Sequence, residues 1–130
     1  MKLSKTTNYA IQAVTALAQS DFNETIPCSE LAKCGKLPER FLLQILRALV
    51  SKSILQSARG VDGGYKLTRH PGQISLLDVV EVFEASLRTD PPHIDGLGPL
   101  VQMRVATALE RSLAAARNEL ERVTIADLLQ

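Results

Sequence analysis

Residues 35–68, GKLPERFLLQILRALVSKSILQSARGVDGGYKLT, decide the fold. Gly35, Lys36 and Leu37 read as a tight turn, because glycine ends a helix easily by tolerating positive φ. Pro38 stands where a new helix begins, since its missing N–H costs nothing in the first turn. From there Phe41, Leu42, Ile45, Leu46, Leu49 and Val50 recur at helical spacing to about Lys52. The opposite face carries Glu39, Arg40, Gln44, Arg47 and Ser51. Two short strand candidates follow, residues 55–58 and 65–68, and the glycines between them (Gly60, Gly63, Gly64) permit a tight reversal. The stretch is a turn, a helix and a β-hairpin with a basic approach at Arg59.

Working outward, residues 8–19 predict a helix with Ile11, Val14, Leu17 and Ala18 on one face and Ser4 or Thr6 as cap. A short helix is expected over about 28–34, with Cys28 or Ser29 near its start and Leu31 and Ala32 facing inward. Beyond the hairpin, Arg69, His70, Pro71 and Gly72 break the pattern. Ser75 with Asp78 three residues on is a capping-box arrangement, opening a helix whose expected inner face is Leu76, Val79, Val80 and Phe83. Residues 86–98 hold two Pro, two Gly and two Asp and read as a linker.

A long helix then runs from about Pro99 to Arg122. Val105, Leu109, Leu113, Ala116, Leu120 and Val123 fall at spacings of 4, 4, 3, 4 and 3, close to a heptad seam. Such a rod is roughly 36 Å long, and its apolar seam calls for a partner, either its own domain or a second copy of the chain. Ile125, Leu128 and Leu129 are placed to fold back as a short terminal helix. The expected class is mostly α: a winged helix-turn-helix over 1–85, a linker over 86–98, and a dimerisation helix with a short terminal helix over 99–130.

Composition agrees. The chain has 130 residues, 45% hydrophobic and 22% charged, so a single core is affordable and disorder is excluded. Aromatics are 4% and Trp is absent, which leaves Leu, Val, Ile and Ala to build that core. No apolar run is long enough for a membrane span, the first residues lack a secretory h-region, and two cysteines are too few for a disulfide scaffold. A cytoplasmic protein without membrane contact is expected. The net charge of +1 conceals an asymmetry: residues 1–70 carry ten Lys or Arg against five Asp or Glu, and residues 71–130 five against nine. A basic front half suits a polyanion.

The order helix, helix, tight turn, helix, hairpin suits double-stranded DNA. A helix fits the major groove and its first turn reaches base edges. That turn offers Glu39, Arg40, Leu43 and Gln44 behind Pro38. Arg40 has the fork for guanine or phosphate, and Gln44 the amide for adenine. Arg59, beside Gly60, is placed to enter a minor groove where negative potential is focused. Lys2, Lys5, Lys36 and Lys66 would add phosphate contacts, and Tyr9 a hydroxyl. An enzyme is disfavoured: Gly63-Gly64 lies in a hairpin and not at a strand-to-helix turn, and no catalytic or metal-binding set stands at useful spacing.

Several stretches resemble the Rrf-type family of bacterial winged-helix regulators. They are Met1-Lys2-Leu3-Ser4 with Tyr9-Ala10, Leu31-Ala32, Pro38-Glu39-Arg40-Phe41-Leu42 with Gln44-Ile45-Leu46, and Ser57-Ala58-Arg59-Gly60 with Gly63-Gly64-Tyr65-Lys66-Leu67. Ile74-Ser75-Leu76 with Asp78-Val79-Val80 and the tail Val123-Thr124-Ile125-Ala126-Asp127-Leu128 extend the match over nearly the whole chain. The resemblance implies a homodimer joined through the long helix, acting on a roughly palindromic operator, usually as a repressor. Members of that family that hold an iron–sulfur cluster carry three cysteines between the post-wing helix and the long helix. Residues 86–104 contain none, with Pro91, Pro92, His93, Asp95 and Gly96 in their place. Thiolates are the ligands such clusters require, so no cluster, and no other cofactor or metal, is expected. Pro38 stands where many relatives place Ser, which removes a side-chain cap and a phosphate ligand.

The input signal is then unassigned. A small-molecule or protein effector, a role purely in protein interaction, and a redox role for Cys28 or Cys34 remain open. If both thiols lie on one helix they stand about 9 Å apart along its axis, beyond the reach of a disulfide.

Overall fold

The computed structural model describes residues 1–60, 63–88 and 90–130; Val61 and Asp62 of the glycine-rich segment and Thr89 of the linker lie outside it. The chain runs α1 (Lys5–Ala18), α2 (Cys28–Gly35), α3 (Glu39–Ser51), β1 (Leu55–Ala58), β2 (Gly64–Leu67), α4 (Leu76–Phe83), α5 (Pro99–Arg122) and α6 (Ile125–Leu128). Short 3₁₀ turns at Pro71–Gln73 and Ala85–Leu87 flank α4. This is the winged helix-turn-helix with a long C-terminal helix that the sequence predicts.

Leu42, Ile45, Leu46 and Leu49 on α3 are at most 2% exposed. They share one core with Ala10, Val14 and Leu17 of α1, Leu31 and Ala32 of α2, Leu55 and Leu67 of the sheet, and Ile74. Each such aliphatic side chain withdrawn from water contributes about 1.5–3 kcal/mol.

The strands pair antiparallel, with Leu55 opposite Leu67 and Ala58 opposite Gly64. Ile26 adds a bridge on the far side of β2: its N–H donates to the Tyr65 carbonyl and the Tyr65 N–H donates to the Ile26 carbonyl, both at 2.9 Å. That approach requires glycine at 64, where a Cβ would sit 2.5 Å from the Ile26 carbonyl.

Helix ends differ in detail from expectation. Ser4 caps α1, its Oγ accepting from the Thr7 N–H. The left-handed residue after α2 is Lys36 (φ 54°), not Gly35. Gly35 is still helical, and it faces Gln12 of α1, whose carboxamide lies 3.3 Å from where a Cβ would be. Glycine there serves close packing, and the turn falls to the next residue. Pro38 is the N-cap of α3 and not its first helical residue; its carbonyl accepts from Phe41 and Leu42.

α4 opens with the expected Ser75–Asp78 capping box. Its buried residues are Leu77, Val79 and Val80, so Leu77 displaces Leu76 and Phe83 from the deepest positions. The reason is that α4 is sandwiched. Val79 faces the main core, while Leu77 and Val80 form a second cluster with Leu87, on which Leu113 and Leu120 of α5 rest. Leu87 is 2% exposed, so the first residues read as linker belong to this packing. The remainder is tied to the start of α5: Gln102 receives the Ile94 N–H on its Oε1 and donates its amide to the Pro92 carbonyl.

The chain end returns to the front of the molecule. Ile125 is fully buried in the main core, its N–H donates to Ile74, and the Leu76 N–H donates to Val123. Thr124 and Asp127 form a second capping box on α6.

Candidate nucleic-acid interface

On α3 the residues facing away from the core are Arg40, Gln44, Arg47 and Ser51, all exposed. At 100° per residue they fall within about 60° of one another, so the helix presents one polar row with a cation at its start and another two turns on. Glu39, also exposed, stands beside the helix N-terminus, where a carboxylate is electrostatically favoured. Leu43 is half-buried at the edge of the row. The sequence marks Arg47 only as part of the polar face; its i+3 spacing from Gln44 and i+7 spacing from Arg40 are the signal that groups it with them.

α1 and α2 hold this helix in place. Tyr9 meets Phe41 edge-on, with ring centroids 5.8 Å apart and planes at 87°, which links the N-terminal half of α1 to the first turn of α3. Tyr9 is therefore half-buried, with its ring part of the support for the row. Lys2, Lys5 and Lys36 are exposed, Lys36 in the turn immediately before α3. Arg59 and Gly60 are exposed at the start of the wing, where Gly60 adopts φ 112°. Lys66 is placed differently. It is half-buried and lines a small crevice with Asp21, Phe22 and Glu24, so acids share its surroundings.

The N-terminus of α1 is fixed by a residue that no local pattern revealed. The Glu84 carboxylate accepts from the Ser4 backbone N–H and from the Thr7 hydroxyl, both at 2.7 Å. Thr7 is fully buried, and this bond satisfies it. The Ser4 N–H first, then the Thr7 hydroxyl, hold the Glu84 carboxyl below the ordinary glutamate range.

Both thiols lie on α2. Cys28 is half-buried with its Sγ 3.6 Å from the Glu39 carbonyl, and burial, then the Glu39 charge, push its thiol up. Cys34 is exposed. On one helix six positions apart, they cannot join without unwinding it.

The seam residues of α5 and its C-cap divide into three groups. Leu113 and Leu120 pack on α4 of their own chain. Leu109 is 45% exposed, and Leu100, Val101 and Met103 nearer the helix start are exposed as well. Val105, Ala116 and Val123 are half-buried. No residue of α5 is fully buried. Among the described residues no helix is long and apolar enough to cross a membrane.

Comparison with known proteins identifies this arrangement. The Rrf2 family, described as an iron-dependent transcriptional regulator, matches residues 3–130. A Mycobacterium tuberculosis protein carrying the name of an HTH-type transcriptional regulator is 33% identical over 132 residues, covering 98% of this chain and 81% of the relative. The HTH-type transcriptional regulator NsrR of Geobacillus kaustophilus is 28% identical over 135 residues, 100% of this chain and 90% of its own. Among solved structures, CymR, the global cysteine regulator of B. subtilis, superposes with a TM-score of 0.78 at 23% identity, covering 98% of this chain and 95% of that one. T. potens IscR gives 0.76 at 28% identity, covering 99% and 86%.

The family description names iron, and the residues present do not fit an iron centre. The only two thiols sit on α2, too few for a cluster. Among the described residues no group of three or more His, Cys, Asp or Glu is placed to hold a metal, and His93 pairs with Asp95 in an exposed loop. With that departure, the chain belongs to the Rrf2 family of winged-helix, DNA-binding transcriptional regulators.

Proposed function

We propose that two copies of this chain, joined along α5, bind a roughly palindromic operator in the cytoplasm and repress transcription. Residues 1–85 are the reading unit, 86–98 the linker and 99–130 the dimerisation element. Each copy sets α3 in a major groove, with Arg40 and Gln44 toward base edges and Glu39, Leu43 and Pro38 bordering them. Arg59 and Gly60 of the wing follow the adjacent minor groove. Lys2, Lys5, Lys36 and Lys66 meet phosphates, Tyr9 lends its hydroxyl, and Arg47 extends the α3 row toward the backbone. The exposed apolar residues of α5, Leu109 among them, and the half-buried Val105 face the second copy. Half-sites then lie about 34–36 Å apart or a multiple of that.

The observation that carries this reading is α3 itself. One face is at most 2% exposed in the core, and the opposite face is a continuous exposed row of Arg40, Gln44 and Arg47.

Fluorescence anisotropy on promoter duplex against scrambled duplex, over a salt series, tests it. The promoter binds more tightly at physiological salt, and affinity falls with salt by about 0.9 in log–log slope per phosphate neutralised. Arg40→Ala costs about 1–3 kcal/mol on promoter DNA and less on scrambled DNA. Equal affinity for the two duplexes at physiological salt overturns the reading and favours a fold kept for protein contact.

A further inference from the structure

A cavity of about 320 Å³ opens where α3, the wing and α4 meet, lined by Lys52, Ile54, Arg69, Asp78, Glu81 and Arg88 among others. Its volume is within the range that small-molecule sites occupy. Here the linker contributes Arg88 and α5 contributes no wall.

The charges in the cavity are unevenly matched. Asp78 is engaged by Arg69 at 3.2 Å, and Glu81 by Arg117 at 3.0 Å from behind. Both acids are therefore neutralised by their own guanidinium groups. Lys52 and Arg88 form no ion pair among the described residues, leaving two cationic side chains at the mouth of one cavity without a counter-charge. Like charges that share a concave wall concentrate anions.

The cavity also adjoins the support of α3. Lys52 ends that helix, and Ser53 follows it with φ 61°, a left-handed conformation unusual for serine. The Ser53 carbonyl is held from the wing side, accepting from the Thr68 hydroxyl at 2.7 Å and from Arg69 Nη1 at 3.2 Å. Arg69 Nε also donates to the Gln73 carbonyl at 2.9 Å. One guanidinium thus spans the turn after α3, the turn after the wing and the start of α4. An anion entering the cavity would compete with Asp78 for Arg69 and alter the grip on the turn that aims α3.

We propose that this cavity binds a small organic anion, with Lys52 and Arg88 supplying the charge and Arg69 relaying occupancy to α3. It rests on the DNA-binding reading above for its consequence, though not for the binding itself. Carboxylates and phosphate esters share the required chemistry.

Isothermal titration calorimetry on the full chain without DNA, using citrate and glycerol 3-phosphate in separate titrations at fixed ionic strength, tests the site and separates the two sources. One of them saturates at one molecule per chain. Arg88→Ala and Lys52→Ala, both at exposed positions, each weaken it by about tenfold, whereas Arg104→Ala on α5, outside the cavity, leaves it unchanged. No saturation by either anion into the millimolar range, or unchanged affinity in Arg88→Ala, overturns the proposal. Anisotropy on promoter duplex with the saturating anion present then shows a change of roughly fivefold or more, and an unchanged DNA affinity overturns the relay. An anion that binds to a chain with no preference for promoter DNA breaks the DNA reading and leaves the site standing.

Discussion

α3 and α5 are both amphipathic helices, and they solve opposite problems. α3 has thirteen residues and buries four of them completely. α5 has twenty-four and buries none completely. The first finds every apolar partner it needs within its own chain, so its other face is free to be read by something else. The second rests on α4 through Leu113 and Leu120 and leaves Leu100, Val101, Met103 and Leu109 to solvent. The single chain thus completes its core through the first helix, and the second keeps an uncovered apolar surface. The backbone divides the same way. The two non-glycine residues with positive φ among the described residues, Lys36 and Ser53, stand in the turns on either side of α3, and α5 has no such residue beside it.

The largest effect should come from truncating the two helices in parallel. Leu46 is fully buried, and Leu46→Ala costs about 2–5 kcal/mol in denaturant unfolding. Leu109→Ala leaves a single chain within about 0.5 kcal/mol, as exposed substitutions do, but shifts the dimer–monomer equilibrium in sedimentation velocity toward the monomer. A Leu109→Ala protein as unstable as Leu46→Ala would show that the two helices are not divided in this way. A chain that is monomeric at micromolar concentration before any substitution would remove the role given to α5.

A smaller effect lies at the junction that carries α5. α4 is the platform for the long helix, and Glu84 at its end ties it to the start of α1. The folded-state pKa of Glu84 is lowered, so the unfolded chain binds this proton more readily than the folded one. Its stabilising contribution is therefore present above the unfolded-state pKa of about 4.3 and is lost as pH falls through the lower, folded value. Urea midpoints between neutral and acid pH should fall more steeply in the parent than in Glu84→Gln, whose amide cannot titrate. Hydrogen exchange at pH 4 should show the α1 N-terminus opening before the Leu42–Leu49 face of α3. Identical pH profiles for the two proteins would mean that this carboxylate plays no part in the acid response.

Much of this arrangement was legible in sequence because its causes are local. The Ser75–Asp78 box and the ends of α5 follow from capping and periodicity, and the wing follows from its glycines. What escaped depends on contacts distant in sequence. Glu84 meets Ser4 eighty residues away. Ile26 joins the sheet through a single residue, too short for any alternation to reveal. Leu77 and Leu87 are buried because α4 is covered on two sides, and a one-faced helix was the expectation. On α3 the residue types of the first turn point to base contact by themselves, whereas Arg47 joins Arg40 and Gln44 only through its helical spacing. The cavity beside Lys52 gathers residues from four separate segments, an assembly that only the fold creates.

The smallest effect probes the turn in front of α3, where local strain and positive charge coincide in one residue. A left-handed conformation costs a side-chain-bearing residue roughly 1–2 kcal/mol, and asparagine tolerates it better because its short side chain hydrogen-bonds locally. Glycine would relieve the strain too, but it enlarges the conformational freedom of the unfolded chain. Lys36→Asn should therefore raise stability by about 0.5 kcal/mol, read as a modest increase in Tm. The same substitution removes a cation beside α3, so affinity should fall about equally on promoter and scrambled DNA and the salt slope should shrink by about 0.9 per chain. Stability and binding then move in opposite directions from one side chain. If Lys36→Asn instead loses stability, the lysine is held by something other than the geometry of the turn. If it gains stability and binds duplex unchanged, the strain at this position is not maintained for contact with phosphate.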